Sequence, residues 1–240
     1  MSKRIVLIHA VTVSLQPILE AFREGWPEAE VSNLLDDGLT GALSREGGLT
    51  PRIVRRICDL ATYAARTGAD GILFSCSAFT PAMDVAKQLV SIPVLKPDEA
   101  MITAALDAGR RIGVLATLPA TAPIQAAQLQ AAAAEQRKTI QVETAAVPEA
   151  LKALNAGDTA THDRLVAEEA ERLAPRVDVI CLAQFSMARA LPAVVKWVDT
   201  KVLNSPDSAV NKLRRLMASL NGNGHLSANG KPAAEVKKPS

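Results

Sequence analysis

Short apolar runs rich in Val, Ile and Leu alternate with longer amphipathic segments along this 240-residue chain. Runs of this kind are typical of strands that are buried on both faces of a parallel sheet. They predict strands at residues 5–8, 30–35, 71–75, 93–95, 112–116, 140–144, 177–182 and 201–203. Helices are predicted at residues 18–22, 50–67, 99–108, 124–136, 162–173, 188–198 and 208–220. A further helix is predicted to follow the turn that ends at Pro81. Strands that alternate with helices place the chain in the α/β class, with parallel sheets.

The helix predicted at residues 50–67 has signals at both ends. Thr50 and Pro51 suit the cap and the first helical position, and Gly68 suits the left-handed residue that ends a helix. Before it, Asp36, Asp37 and Gly38 predict a loop, because such residues favour turns.

The chain also resembles itself at an offset of about 108 residues. KRIVLI at residues 3–8 recurs as RRIGVL at 110–115, and ADGILFSCS at 69–77 recurs as VDVICLAQF at 177–185. VLKPDEA at 94–100 recurs as VLNSPDSA from residue 202, with one residue inserted. Matches in the same order predict two copies of one α/β unit.

The repeat therefore predicts two pseudo-symmetric lobes. Each is a roughly four-stranded parallel sheet flanked by helices, with the active-site cleft between the lobes. We expect residues 1–97 and 206–220 to form the first lobe and residues 98–205 to form the second. Residues 221–240 lack apolar periodicity and predict a disordered tail.

Composition excludes several classes of function. Lys and Arg total 27 against 25 Asp and Glu, and aromatic residues are 3% of the chain. This near balance and the scarcity of stacking side chains argue against a nucleic-acid partner. No run has the length of a membrane span or the form of a signal peptide. Three cysteines without CxxC spacing fit a reducing compartment and argue against a zinc site, so we expect a cytoplasmic protein without metal.

Candidate chemistry lies after the strands. In open parallel sheets, ligands bind beyond the carboxyl ends of the strands, where loops lead into helix N-termini. The residues at these positions that could bind or react are polar, uncharged and small: His9, Cys76, Ser77, Thr117, Thr121, Gln184 and Ser186.

Cys76 is the strongest candidate for a reactive group. It stands between Ser75 and Ser77 at a strand-to-helix turn, where the helix dipole can lower the pKa of a thiol. Cys58 and Cys181 fall within a predicted helix and a predicted strand, which is where a buried cysteine packs as a small apolar residue.

The fragments FSCSAFT at 74–80, GVLAT at 113–117 and LAQFSMA at 182–188 together resemble the aspartate/glutamate racemase superfamily. That group also includes hydantoin racemase, maleate isomerase and arylmalonate decarboxylase, and the resemblance covers about residues 3–220. It implies an enzyme without a cofactor, a small carboxylate as substrate, and a homodimer. It also implies two thiols, one from each lobe, that remove and return a proton on opposite faces of the carbon next to the carboxylate.

The chain departs from this pattern at one position. Cys76 matches the thiol of the first lobe, but Gln184 occupies the position of the second thiol. An amide can hydrogen-bond an oxygen but cannot exchange a proton near neutral pH, which argues against symmetric two-thiol racemisation. The resemblance further implies that hydroxyl groups stabilise the enolate-like charge, at Ser77, Thr117, Thr121 and Ser186.

Three mechanisms remain open at this point. Cys76 and His9 could each carry a proton, although His9 could instead be a hydrogen-bonded loop residue. Cys76 could act alone on one face, which suits decarboxylation, or it could attack an electrophilic carbon as a nucleophile. We therefore expect a cofactor-independent racemase or isomerase that acts at the α-carbon of a small carboxylate through Cys76. The alternatives are a decarboxylase of a substituted malonate and a binding protein that has lost the second thiol.

Two other features of the chain have structural interpretations. His162 follows Thr161 near a predicted helix start and is expected at the surface. Arg52, Arg55 and Arg56 are expected on a solvated helix face.

Overall fold

The computed structural model describes residues 2–222. Its strands are β1 (Arg4–His9), β2 (Glu30–Leu35), β3 (Gly71–Phe74), β4 (Val94–Leu95), β5 (Arg111–Ala116), β6 (Gln141–Ala146), β7 (Val179–Leu182) and β8 (Lys201–Asn204). Its helices are α1 (Leu15–Gly25), α2 (Gly38–Arg45), α3 (Pro51–Arg66), α4 (Thr80–Leu89), α5 (Glu99–Ala108), α6 (Thr121–Glu135), α7 (Pro148–Asn155), α8 (Thr159–Leu173), α9 (Leu191–Val194) and α10 (Ser205–Gly222).

The strands form two four-stranded sheets with the same topology. One has the order β2-β1-β3-β4 and the other the order β6-β5-β7-β8, and all neighbours are parallel. The predicted α/β class, the parallel sheets and the two lobes are confirmed. Every predicted strand is present, because buried β-branched runs with turn residues on both sides are the strongest strand signal in a sequence.

The chain divides into two compact units. Among the described residues, the first unit contains residues 2–12, Phe22–Lys96 and residues 210–222. The second contains Val13–Ala21 and Pro97–Ala209. The sequence assigns Val13–Ala21 to the first lobe, whereas its contacts place it with the second unit.

Each unit ties the start of its first strand to the loop before its third strand in the same way. In the first unit, Asp70 Oδ2 accepts a hydrogen bond from the Arg4 backbone N–H at 2.8 Å. In the second, Asp178 Oδ2 accepts from the Arg110 and Arg111 backbone N–H groups, both at 2.9 Å. These backbone donors, with the Arg111 side chain, lower the pKa of Asp178 to about 2.

The second sheet shows how alternation along a strand builds the core. Ile112 and Val114 on β5 pack on one face of the sheet, in the cluster that includes Leu129 of α6. Leu115 faces the other side and packs in the cluster that includes Val166 of α8. Both faces are therefore covered by helices, as a parallel sheet requires.

The start and the end of the predicted helix at residues 50–67 are confirmed. Pro51 is at the beginning of α3, and Gly68 follows its end with a φ of +86°. Only glycine adopts this left-handed conformation without a steric penalty from Cβ.

The prediction of one helix at residues 188–198 is wrong. The chain instead forms a 3-10 turn at Phe185–Ala190 and then the short α9. Pro192 lies in the first turn of α9, where its missing N–H is tolerated, and it cannot sit inside a longer helix.

Two helices were not predicted, α2 and α7. Both are eight residues long, and α2 contains Gly38 and Gly41, whose low helix propensity weakens its signal. The predicted tail also begins too early, since α10 continues to Gly222. Residues 223–240 of that predicted tail lie outside the described residues. Within residues 2–222, no helix combines the length and the apolar character that a membrane crossing needs.

Candidate active site

The first cluster of candidate residues lies where β1 and β3 end. His9 is the last residue of β1, and Ser75 and Cys76 directly follow β3. Since Ile8 pairs with Phe74 in parallel register, the residues that follow them emerge at the same edge of the sheet. Cys76 has an extended backbone and caps the 3-10 turn Ser77–Phe79, which leads into α4.

His9 is buried and both of its ring nitrogens are hydrogen-bonded. Its Nε2 lies 3.0 Å from Asn33 Oδ1, and its Nδ1 lies 2.7 Å from Ser75 Oγ. Burial lowers the pKa of His9, while the Asn33 hydrogen bond raises it by a smaller amount. The lowered pKa favours a neutral ring near pH 7, and a proton on Nε2 would be donated to the Asn33 oxygen.

This geometry favours the interpretation of His9 as a hydrogen-bonded residue at the strand end. The ring fixes the Ser75 side chain, and Ser75 precedes Cys76 in the chain. Sequence reasoning did not identify Asn33 or the role of Ser75. The available signal was a polar side chain inside β2, next to the strand that ends in His9.

Cys76 differs from the other two cysteines in its exposure to solvent. Cys76 is half-buried, whereas Cys58 and Cys181 are buried in the packed cores of their units. Burial raises the pKa of Cys58, and it raises the pKa of Cys181 to about 12, with a further contribution from the Asp98 charge. Neither buried thiol can therefore supply a thiolate near neutral pH. Ser77, which follows Cys76, is exposed.

The second cluster lies where β5 and β7 end. Gln184 caps the 3-10 turn Phe185–Ala190 that follows β7, as Cys76 caps the turn after β3. Its Oε1 accepts three hydrogen bonds, from the Thr117 backbone N–H at 2.6 Å, the Thr117 hydroxyl at 2.9 Å and the Leu118 backbone N–H at 3.3 Å. The structure thus brings Thr117 and Gln184 together, and it adds the Leu118 amide, which the sequence did not indicate.

Three donors that converge on one point form an oxyanion-type site. In this structure the amide oxygen of Gln184 occupies that point. The same contacts fix the orientation of the side chain, so that the Nε2 group is the part of Gln184 left to donate to another molecule.

The remaining two candidates flank this cluster. Thr121 is the first residue of α6 and is half-buried, and its backbone N–H donates to Leu118 O at 3.0 Å. Ser186 is half-buried in the turn after Gln184. Neither hydroxyl forms a hydrogen bond with another residue in the described part of the chain, so both are able to bind a ligand.

The expected surface position of His162 is wrong. Helix α8 begins at Thr159, where the Asp158 side chain accepts from the Thr161 N–H, and this start turns His162 to the buried face. Its Nδ1 lies 2.7 Å from Asp163 Oδ1, which also accepts from Arg189 Nε at 3.0 Å. Because Arg189 lies in the turn that Gln184 caps, this network ties α8 to the second cluster.

Asp36 is part of the packing of the first unit. Its carboxylate pairs with Arg56 of α3 at 2.6 Å, which holds the loop after β2 against that helix. Arg56 is therefore less solvated than expected, and Asp37 precedes α2 as its cap residue. No group of three or more His, Cys, Asp or Glu side chains within residues 2–222 is arranged to hold a metal ion.

Comparison with known proteins identifies a racemase family and similar solved structures. A family model described as Asp/Glu/hydantoin racemase matches residues 41–213. A search of curated protein sequences finds no match.

Three similar solved structures are racemases or a racemase homologue. Allantoin racemase from Klebsiella pneumoniae is 20% identical with a TM-score of 0.69, over 99% of this chain and 97% of that chain. An aspartate racemase homologue from Pyrococcus horikoshii is 18% identical with a TM-score of 0.66, over 91% and 100% of the two chains. A glutamate racemase from Bacillus anthracis is 18% identical with a TM-score of 0.63, over 96% and 86%.

Proposed function

Because the chain belongs to the Asp/Glu/hydantoin racemase family, we propose that it is a cofactor-independent enzyme of the racemase or isomerase type. Its substrate is a small carboxylate or a related acid, and the reaction takes place at the α-carbon through the thiol of Cys76. The similar structures include racemases of glutamate and of allantoin, two molecules whose stereocentre bears a hydrogen next to a carbonyl group.

One observation carries the assignment of Cys76. All three cysteines are described, and Cys76 alone is partly exposed: it packs against the edge of the first unit's core, at the carboxyl end of a parallel strand. A thiol that must exchange a proton with a substrate needs access and a position at this edge of the sheet. Cys58 and Cys181 have neither.

The steps of the reaction are assigned to the cluster that contains Cys76. We assign proton removal to the Cys76 thiolate, which takes the hydrogen of the α-carbon and becomes a thiol. The electron pair left on the carbon moves onto the adjacent carboxylate or carbonyl oxygen, and a donor beside the thiol, such as the exposed Ser77 hydroxyl, stabilises that charge. Return of the proton from the thiol to the same face of the carbon completes hydrogen exchange, and inversion requires a second proton donor on the opposite face.

His9 serves this proposal as a positioning residue. A neutral ring with both nitrogens engaged does not carry a proton to the substrate, but it holds Ser75 and the backbone that leads to Cys76.

The geometry of Gln184 favours a second candidate function, decarboxylation of a substituted malonate. A side-chain amide whose oxygen already accepts three hydrogen bonds cannot deliver a proton to a second face. In decarboxylation the carbon–carboxylate bond breaks, carbon dioxide leaves, and the carbanion needs one proton on one face. A single thiol is sufficient for that step.

A panel of amino acids, hydantoins and substituted malonates, incubated with the protein in deuterated water, separates these functions. Mass spectrometry reports deuterium gain and loss of carbon dioxide, and chiral chromatography reports inversion. Deuterium gain at the α-carbon with inversion supports the first function, deuterium gain without inversion indicates exchange on one face only, and loss of carbon dioxide with one enantiomer of product supports the second function. Saturable binding with neither change would contradict both functions and favour a binding protein.

A Gln184→Cys variant examines the missing thiol directly. If one thiol limits the enzyme to one face, the variant gains inversion on a substrate that the natural chain only exchanges or decarboxylates. A Gln184→Ser variant is the matched control, because it removes the amide without adding a thiol. Equal inversion by the natural chain and both variants would remove the argument based on Gln184.

A further inference from the structure

A second concave site lies in the second unit, at the amino-terminal end of its sheet. A cavity of about 440 Å³ is formed by the end of α5, the start of β5 and the connection from α6 to β6. Its polar lining comes from Asp107, Arg110, Arg137, Lys138 and Thr139. This end of the sheet is opposite to the carboxyl ends that carry Thr117 and Gln184, so the cavity is separate from the candidate active site.

The cavity carries excess positive charge. Lys138 pairs with Asp107 at 2.9 Å and also donates to Leu106 O at 3.0 Å. The guanidinium groups of Arg110 and Arg137, by contrast, form no ion pair with an acidic side chain among the described residues, and both residues are exposed. Two arginine residues therefore border the cavity, and their guanidinium groups have no ion-pair partner among residues 2–222.

The first unit also has basic residues at the start of its first strand, but there each lies beside an acidic side chain. At the start of β1, Lys3 pairs with Asp70 at 3.1 Å and Arg4 lies 3.9 Å from Glu30, its partner in register on β2. In the second unit, Arg111 has the equivalent register, and its partner on β6 is Gln141. The duplicated sheet thus has an acid at this position in the first unit and a neutral amide in the second.

The backbone at Arg137 adds an independent observation. Its φ is +55°, in the left-handed region that favours glycine and asparagine. Glycine or asparagine would adopt this conformation at a lower cost than arginine. Arginine at this position adds a guanidinium group. Arg137 is one of the residues that line the cavity.

We propose that this cavity binds a phosphate dianion, either free or as the phosphate group of a small metabolite. Guanidinium groups match phosphate oxygens in pairs of parallel hydrogen bonds, and two of them balance the charge of a dianion. A volume of about 440 Å³ accommodates a small phosphorylated molecule. The site is a binding site for an effector, separate from the chemistry of Cys76.

Isothermal titration of the full chain with inorganic phosphate, and separately with glycerol 3-phosphate, tests the site. The variant Arg110→Gln with Arg137→Asn removes both guanidinium groups, and asparagine suits the left-handed position. A variant with Arg45→Gln and Arg55→Gln removes the same charge from exposed helix positions in the first unit. We expect saturable binding to the natural chain and the control, and at least about tenfold weaker binding to the cavity variant.

A second variant keeps every arginine. Gln141→Glu restores the acid that the first unit has at this register, and we expect it to weaken phosphate binding while the chain stays folded. Binding of both probes with equal affinity identifies phosphate itself as the ligand, and tighter binding of glycerol 3-phosphate identifies a phosphorylated metabolite. Equal binding to all variants, or no saturable binding of either probe to the natural chain, would overturn the proposal.

Discussion

Asp98 is a buried carboxyl group whose ionisation is expected to control the stability of the protein between acidic and neutral pH. It precedes α5, and its Oδ1 accepts a hydrogen bond from Ser205 Oγ at 2.7 Å. Ser205 Oγ also lies 3.6 Å from the Met101 sulfur. Burial raises the pKa of Asp98 from 3.8 to about 6, although the Ser205 hydrogen bond acts in the opposite direction.

The size of this effect follows from the two pKa values. A rise of the pKa from 3.8 to about 6 corresponds to a pH-dependent contribution of about 3 kcal/mol to the free energy of unfolding. Because the folded chain holds the proton more tightly than the unfolded chain, this contribution is complete below pH 3.8 and is lost as the pH rises through about 6. Asp98→Asn cannot ionise, so we expect it to gain stability relative to the natural chain by about 3 kcal/mol between pH 4 and pH 8.

Urea unfolding followed by tryptophan fluorescence measures this difference, since Trp26 and Trp197 report on the first and the second unit. Asp199→Asn is the matched control, because Asp199 is exposed and also lies in the second unit. We expect the control to follow the natural chain at every pH. Parallel stability curves for the natural chain and Asp98→Asn would refute the reasoning.

Three further predictions follow from other residues. Asp178→Asn should lower the melting temperature near pH 7, and the difference should shrink in acid, because a lowered pKa gives stability above pH 3.8 that is lost as the pH falls towards about 2. Gly113→Ala should destabilise the chain by about 1–3 kcal/mol in urea unfolding, since the added Cβ would lie 2.6 Å from Leu173 Cδ2 in a packed core. Iodoacetamide should modify one thiol rapidly in the folded chain, and peptide mapping should identify it as Cys76; rapid modification elsewhere would contradict its assigned exposure.

The sequence predicted the sheets well because their signal is local. The buried apolar runs between turn residues form strands, and the more exposed strand β2 also has the predicted bounds, Glu30–Leu35. The internal repeat then predicted two units of the same topology, since two copies of one pattern fold in the same way.

The sequence predicted less where tertiary contacts decide the structure. The short helix α2 depends on burial of Leu39 and Ala42 and not on helix propensity. The burial of His162 depends on where α8 begins, and a shift of a few residues in a helix start turns a side chain from solvent to core.

The candidate site shows the same limit. Strand ends identified the positions of His9, Cys76, Thr117 and Gln184, because the topology of a parallel sheet places loops there. Hydrogen-bond partners cannot be read in this way. The contacts of His9 with Asn33 and Ser75 join residues far apart in the chain, and only the folded structure shows them.

The central claim is that the Cys76 thiol exchanges the proton of the substrate's α-carbon. The most direct measurement is the rate of deuterium incorporation at that carbon, for the substrate found in the panel, by the natural chain and by the variants Cys76→Ser and Cys58→Ser. The account predicts that Cys76→Ser loses at least about a hundredfold in this rate, the loss expected for removal of a general acid/base, while Cys58→Ser keeps it. Undiminished exchange by Cys76→Ser would contradict the account.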